Sequence, residues 1–357
     1  MTNLMKRLGS RIVRQLIDFG LYSRVRQLDL ADNLESNTRN RILLIGPGEI
    51  EIPSNGWGAV ETIIAETKTL YEKHGYQVTI LNSNFIFDWI GAGKKYNVII
   101  SHNDRKTMKI RNRWRSIPLI TYSHYGYGEF EEMWSRDYRS VVKSMNQSDY
   151  VICLNARVKN VYSNYIDASK LIVCPNGSSF GSFRVQEKNN RFVCIGKVEN
   201  RKRQYEAWIQ SESTDTKIDF IGPVADLRVR KLLVKNDDAQ SRFIGPKSRQ
   251  EVSEVLEGYK ALILPSLGEA DALVLYEAQL AGIPVFVTSK GVGAQDISLE
   301  WIKIIPIDFN FEELVSQLSS IAATQSDIQN YAKINYSWDV RHHPVLELLK
   351  KIANDRD

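Results

Sequence analysis

Short apolar runs of four or five residues recur along most of this chain, each separated from the next by a loop and a helical stretch, and that alternation restricts the architecture more than any other feature. Residues 41 to 45 (Arg-Ile-Leu-Leu-Ile) read as a buried strand. A Gly/Pro loop, a helix from about 60 to 73, Gly75 and a strand at 77 to 81 follow. Such a βαβ opening implies a parallel sheet. Further strands are expected at 97 to 101, 119 to 122 and 150 to 154. Around Asn176 to Asn190 the composition turns polar and rich in Gly and Ser, as a linker does. A second set of strands begins at 192 to 195 and continues at 218 to 221, 242 to 244, 261 to 264 and 285 to 288. The pattern predicts an α/β chain of two Rossmann-like halves facing each other, and 357 residues suit two domains.

Cys153, Cys174 and Cys194 each lie in an apolar, strand-like run. An odd number of buried thiols without paired metal spacing points to a reducing cytosol. No segment approaches ~18 uninterrupted apolar residues, so no membrane span is expected, and the N-terminus lacks the pattern of a secretory signal. The net charge of +5 is unevenly spread: residues 1–180 hold 24 Lys and Arg against 17 Asp and Glu. The excess gathers at Lys6, Arg7, Arg11, Arg14, Arg24 and Arg26, and again at Arg105, Lys106, Lys109, Arg111, Arg113 and Arg115. Leu4, Leu8, Ile12, Val13 and Leu16 recur at helical spacing among the first group, which describes a basic amphipathic helix. Two readings of it stand: a helix packed on its own domain, or one drawn to an anionic membrane surface or acceptor. No nucleic-acid recognition motif accompanies the charge.

Between Glu269 and Glu277 the sequence carries its most specific chemistry. A strand-like run at 261 to 264 leads into Pro265-Ser266-Leu267-Gly268-Glu269. A helix follows from about 272 to 281, stopped by Gly282 and Pro284. If wholly helical, eight residues at 1.5 Å rise would separate the two carboxylates by ~12 Å. Retaining glycosidase carboxylates stand roughly 5 to 5.5 Å apart, so this pair suits the two ends of an extended ligand. The helix N-terminus between them, at Ala272 and Leu273, suits phosphate. A nucleotide-diphosphate sugar has that shape.

This Glu-x7-Glu stretch resembles glycosyltransferase family four, the retaining GT-B glycosyltransferases, and the resemblance extends over most of residues 41 to 340. It implies a GT-B fold, two Rossmann-like domains facing across a cleft, with Glu269 holding the donor sugar and Glu277 the nucleotide ribose. Beyond the basic amphipathic extension at 1–40, it further implies an acceptor-side domain at 41–180, a nucleotide-sugar domain at 191–335, and a segment at 336–357 returning to the first domain after Tyr336-Ser337-Trp338. The family has glycines where this chain has Ala270, Asp271 and Ala272. Related enzymes also carry a Gly-Arg-Leu segment with a Lys five residues beyond the Arg; here Lys197 follows Gly196, and Lys202 completes the spacing. Fixed cations there would stabilise the leaving diphosphate, Lys keeping the charge but not the fork of Arg. Arg201 and Arg203 read as a solvated basic turn.

Gly46-Pro47-Gly48 fails the dinucleotide fingerprint because residue 51 is Glu. The loop Gly56-Trp57-Gly58 instead resembles the family's glycine-rich helix entry, which would place Gly56 and Gly58 against the diphosphate. His124, after the strand at 119 to 122, matches a family His close to the donor sugar; His102 is a weaker candidate at the same sheet edge. Gly245 and Lys247 fall where such enzymes set backbone against the nucleobase. His342 and His343 read as surface residues of the last helix. The one Asp-x-Asp triplet, Asp355-Arg356-Asp357, stands at the chain end, so no metal or other cofactor is expected. The resemblance implies transfer of a sugar, with retention, from a nucleotide sugar to a glycan or lipid-linked acceptor, in the cytoplasm or at its membrane surface. Rival readings are a nucleotide-sugar epimerase of the same fold and a noncatalytic nucleotide-sugar-binding or scaffold subunit.

Overall fold

The computed structural model describes residues 22–31, 40–179, 189–214, 216–226 and 241–355, with 15 and 228 as single positions. The first half runs β1 (Arg26–Asp29), β2 (Arg41–Ile45), α1 (Ala59–Lys73), β3 (Gln77–Ser83), α2 (Ile86–Gly91), β4 (Val98–Ser101), α3 (Thr107–Arg113), β5 (Leu119–Tyr122), α4 (Tyr138–Met145), β6 (Tyr150–Cys153), α5 (Ala156–Tyr162) and β7 (Leu171–Val173). Its seven strands lie in the order β1-β3-β2-β4-β5-β6-β7. All pairs are parallel except β1 with β3.

The second half contains β8 (Phe192–Ile195), α6 (Gln204–Glu212), β9 (Ile218–Ile221), β10 (Ser241–Gly245), α7 (Arg249–Leu256), β11 (Ala261–Leu264), α8 (Leu273–Leu280), β12 (Val285–Thr288), β13 (Ile302–Ile305), α9 (Phe311–Ser319) and α10 (Gln325–Asn335). Its six strands pair in parallel in the order β10-β9-β8-β11-β12-β13. Two short steps, α11 (Trp338–Arg341) and α12 (His343–Asn354), end the chain.

Burial explains which runs became strands. Every residue of β2, β4, β5, β9, β11 and β12 is buried, as a sheet covered on both faces requires. β2 lies between β3 and β4, and β8 between β9 and β11, so each sheet reverses its strand order there. Open α/β sheets bind ligands beyond the carboxyl ends of strands at such reversals. In this chain those ends carry the loop before α1, Gly196-Lys197, and the segment from Pro265 to Ala272.

The structure departs from the sequence reading at residues 26–29 and at His342. Residues 26–29, read as part of a basic extension, form an edge strand whose Arg26 pairs with Asp88 at 2.6 Å. A polar Arg-Gln-Leu-Asp run lacks the alternation that marks a strand, and only pairing with β3 makes it one. The amphipathic helix proposed for residues 4–16, apart from the single position 15, and linker positions 180–188 lie outside the described residues. His342 is not on the surface but fully buried, between Tyr71, Tyr122 and Trp338; His343 is exposed. The burial of His342 comes from α12, whose Val345, Leu346, Leu348, Leu349 and Ile352 join the core around Ile42, Leu44 and Ile100 of the first sheet. The three cysteines are free and buried, and burial pushes each thiol up to about 12.

Candidate functional site

A cleft of about 570 Å³ opens between the two sheets and is lined from both. On the second-domain side, Glu269 lies in the loop after β11 and is 8% exposed. Lys202 Nζ stands 2.9 Å from one carboxylate oxygen and Arg201 Nη1 3.0 Å from the other, while Ser266 Oγ donates at 2.7 Å. Burial alone would push the Glu269 carboxyl up, but Lys202 and Arg201 outweigh it and bring it down to about 2. The carboxylate is therefore ionised throughout the physiological range. Gly196 makes room for this arrangement, since a Cβ there would lie 3.3 Å from Lys202 Nζ. Lys197 also lines the cleft, 3.6 Å from Glu199.

Arg201, read from the sequence as a solvated turn, is instead a working part of this cluster. It pairs with Glu199 at 2.8 Å, donates to the Gly268 carbonyl and holds Glu269. Its position next to Lys202 in a 3-10 turn, rather than any pattern in the sequence, turns it inward.

Glu277 lies on α8, buried, with Arg249 Nε at 3.2 Å. Burial raises its pKa and Arg249 opposes the rise. The two glutamates thus pair with separate cations. Arg249 also pairs with Glu66 of α1, in the other domain. Sequence reasoning missed both residues: Arg249 follows Ser248 in an ordinary capping box with Glu251, which gives it no signal of its own. Between the glutamates, α8 starts after Ala272, whose position gives it no side-chain cap, and Ala272, Leu273 and Val274 line the cleft. The open end of the helix is a place for an anion.

Asp271 is buried and accepts from Asn176 N at 2.8 Å, Ala294 N at 3.1 Å and Tyr276 Oη at 2.8 Å. Burial carries its pKa up to about 6 against these donors. It fastens the pocket loop to the segment that leaves the first domain, as does Asn176 Nδ2 to the Asp271 carbonyl at 2.8 Å.

From the first domain, Gly56 and Gly58 have φ of 97° and 120°, which side chains with a Cβ rarely adopt. A Cβ on Gly56 would stand 2.8 Å from the Lys247 carbonyl oxygen. Gly245 and Lys247 are not among the residues that line the cleft, and Lys247 instead backs onto Gly56. His124 lines the cleft, while His102 is buried beneath it at 2.9 Å. Among the described residues no group of three His, Cys, Asp or Glu side chains is placed to hold a metal ion, and no helix is long and apolar enough to cross a membrane.

Two facing parallel-sheet domains, a shared cleft and a C-terminal helix returning to the first domain define a GT-B fold. Residues 235–336 match the family model of glycosyl transferases group 1, the group towards which the Glu-x7-Glu resemblance pointed. No curated protein sequence matches the chain. Sucrose-phosphate synthase from Thermosynechococcus elongatus is similar in structure with a TM-score of 0.73 and 13% identity, over 88% of this chain and 99% of that one. HepE from Anabaena, solved in complex with UDP-glucose, has a TM-score of 0.68 and 15% identity over 87% and 99% of the two chains. AviGT4, a glycosyltransferase involved in avilamycin A biosynthesis, has a TM-score of 0.66 and 13% identity over 88% and 98%.

Proposed function

We propose that the protein is a retaining glycosyltransferase that moves a sugar from a nucleotide-diphosphate donor to a glycan or lipid-linked acceptor without a metal ion. The observation that carries this reading is the Glu269 cluster: an ionised, buried carboxylate held by Lys202 and Arg201, with Lys197 and the uncapped start of α8 on the same cleft. Breaking the glycosidic bond leaves negative charge on the diphosphate. Fixed cations and helix N–H groups placed in advance stabilise that charge without reorganisation. Glu277 and Glu269 then hold the ribose and the sugar ring, and the leaving phosphate assists deprotonation of the acceptor hydroxyl on the same face. The UDP-glucose complex of the similar HepE structure supports a nucleotide sugar as the donor class. The basic N-terminal segment supports peripheral association with an anionic membrane, which liposome co-sedimentation over a range of anionic-lipid content tests.

The deciding experiment incubates the purified protein with UDP-, GDP- and dTDP-sugars in the presence of a chelator, following thermal stabilisation and nucleotide release. Stabilisation and slow release with one donor are expected. Activity that vanishes with chelator and returns with manganese would overturn metal independence, and silence with every donor would favour the scaffold reading.

A further inference from the structure

His102 immediately follows β4 and His124 comes two residues after β5, and these strands are parallel neighbours, so the two imidazoles emerge side by side at one sheet edge. His102 Nδ1 lies 2.9 Å from His124 Nε2. The rings are 13° from parallel with centroids 5.1 Å apart, which at that N···N distance means two rings lying nearly edge to edge along one hydrogen bond. Such a bond needs one N–H and one lone pair, so the tautomer of either ring dictates that of the other.

We infer that His102 is a positioning residue that fixes His124 as the Nδ1–H tautomer and thereby presents a hydrogen-bond donor to the cleft. The choice follows from the far side of His102. That ring is 4% exposed and lies against Tyr122, with centroids 4.7 Å apart and planes within 15°. Its Nε2 is buried with no partner in the structure. An orphaned N–H is the costlier of the two states, since buried donors are left unpaired more rarely than acceptors. The His102 proton therefore belongs on Nδ1, donating to His124 Nε2, and the single proton of neutral His124 is left on its Nδ1. Burial disfavours the charged form of both rings, taking His124 down to about 4 and His102 well below the usual histidine range. His124 lines the cleft, so its N–H suits an acceptor oxygen, hydroxyl or carboxylate, on the sugar end of a donor. This use of the tautomer rests on the nucleotide-sugar reading; the tautomer itself does not.

Long-range proton–nitrogen spectra of the full chain labelled with 15N-histidine test it, comparing wild type, His102→Asn and His102→Leu. In wild type and His102→Asn, whose carboxamide N–H replaces the Nδ1–H, His124 is expected to carry its proton on Nδ1. In His102→Leu the proton is expected to move towards Nε2, the form isolated imidazole prefers. Donor KM is expected to rise about two- to tenfold in His102→Leu, the range of one lost hydrogen bond, and to recover in His102→Asn. A wild-type His124 protonated on Nε2 overturns the inference, as does a His102→Leu variant with unchanged tautomer and donor KM. The wild-type spectrum decides even if the leucine variant does not fold. A wild type that binds no nucleotide sugar would remove the functional reading and leave the tautomer result standing.

Discussion

Glu269 sits between two cations and a hydroxyl, so replacing any one of them changes the environment of the whole cluster. Lys202→Ala leaves Arg201 to compensate a buried carboxylate alone and removes a cation from the side of the cleft proposed to hold the diphosphate. Hydrogen bonds to charged groups contribute about 1.5–3 kcal/mol, so kcat/KM is expected to fall about 10- to 150-fold in steady-state assays, with kcat falling as well as KM rising. Asp271 behaves in the opposite electrostatic sense. Its pKa rises from 3.8 to about 6 on folding, so the folded state binds the proton more tightly than the unfolded one. Its contribution to stability is fully present below about 4 and is lost as pH rises through about 6, amounting to about 3 kcal/mol. Denaturant titrations from pH 4 to 7 should therefore show wild type losing stability relative to Asp271→Asn. Parallel pH curves for the two proteins would contradict this origin of the shift.

At the scale of elements, the last helix has the most to lose from a small change. α12 presents Leu349 and Val345, 2% and 0% exposed, to strands of the other end of the chain. Leu349→Ala should destabilise the protein by about 2–5 kcal/mol, the usual cost of a large-to-small change in a packed core. The midpoint of urea unfolding would shift with an unchanged slope if the fold is kept. The element that carries Glu277 has a different logic. α8 is buried at all eight of its positions, so the periodicity of a surface helix is missing and its limits were set by Gly282 and Pro284 instead. Strand β13 went unread for the converse reason: Ile-Lys-Ile-Ile at a sheet edge is only half buried and carries a charge in its middle.

Across the whole molecule the domains meet closely at a few points. A Cβ added to Gly268 would lie 2.5 Å from the Tyr127 ring and 2.8 Å from the Gly126 carbonyl oxygen. The Tyr127 ring could turn aside, but the Gly126 carbonyl is backbone and cannot yield as a side chain does. Gly268→Ala is therefore expected to hold the halves apart. Small-angle scattering should report a larger radius of gyration, and donor KM should rise while each sheet keeps its far-ultraviolet spectrum. A compact variant with wild-type donor KM would mean that the loop adjusts locally. Glu66, Arg249 and Glu277 link the same two domains through charge, and Asp271 with Asn176 through two bonds, each between the side chain of one and the backbone of the other.

The alternation of apolar runs and helices was enough to place most of the strands of both sheets, because burial on two faces forces an unbroken apolar run and leaves a visible mark. The Glu-x7-Glu spacing, Lys197, Lys202 and the glycine loop were legible for a related reason: each is a local pattern within a few residues of a strand end. Arg201, Arg249, Glu66 and the buried His342 were not, and His102 was legible only as a sheet-edge candidate, without its bond to His124. Their roles come from partners distant in the chain, such as Arg249 with Glu66 or His102 with His124, and a side chain's partner across a cleft leaves no periodicity in its own neighbourhood. Local propensity and burial pattern thus determined the elements, whereas which charge meets which carboxylate was decided only when the two sheets and the last helix packed together.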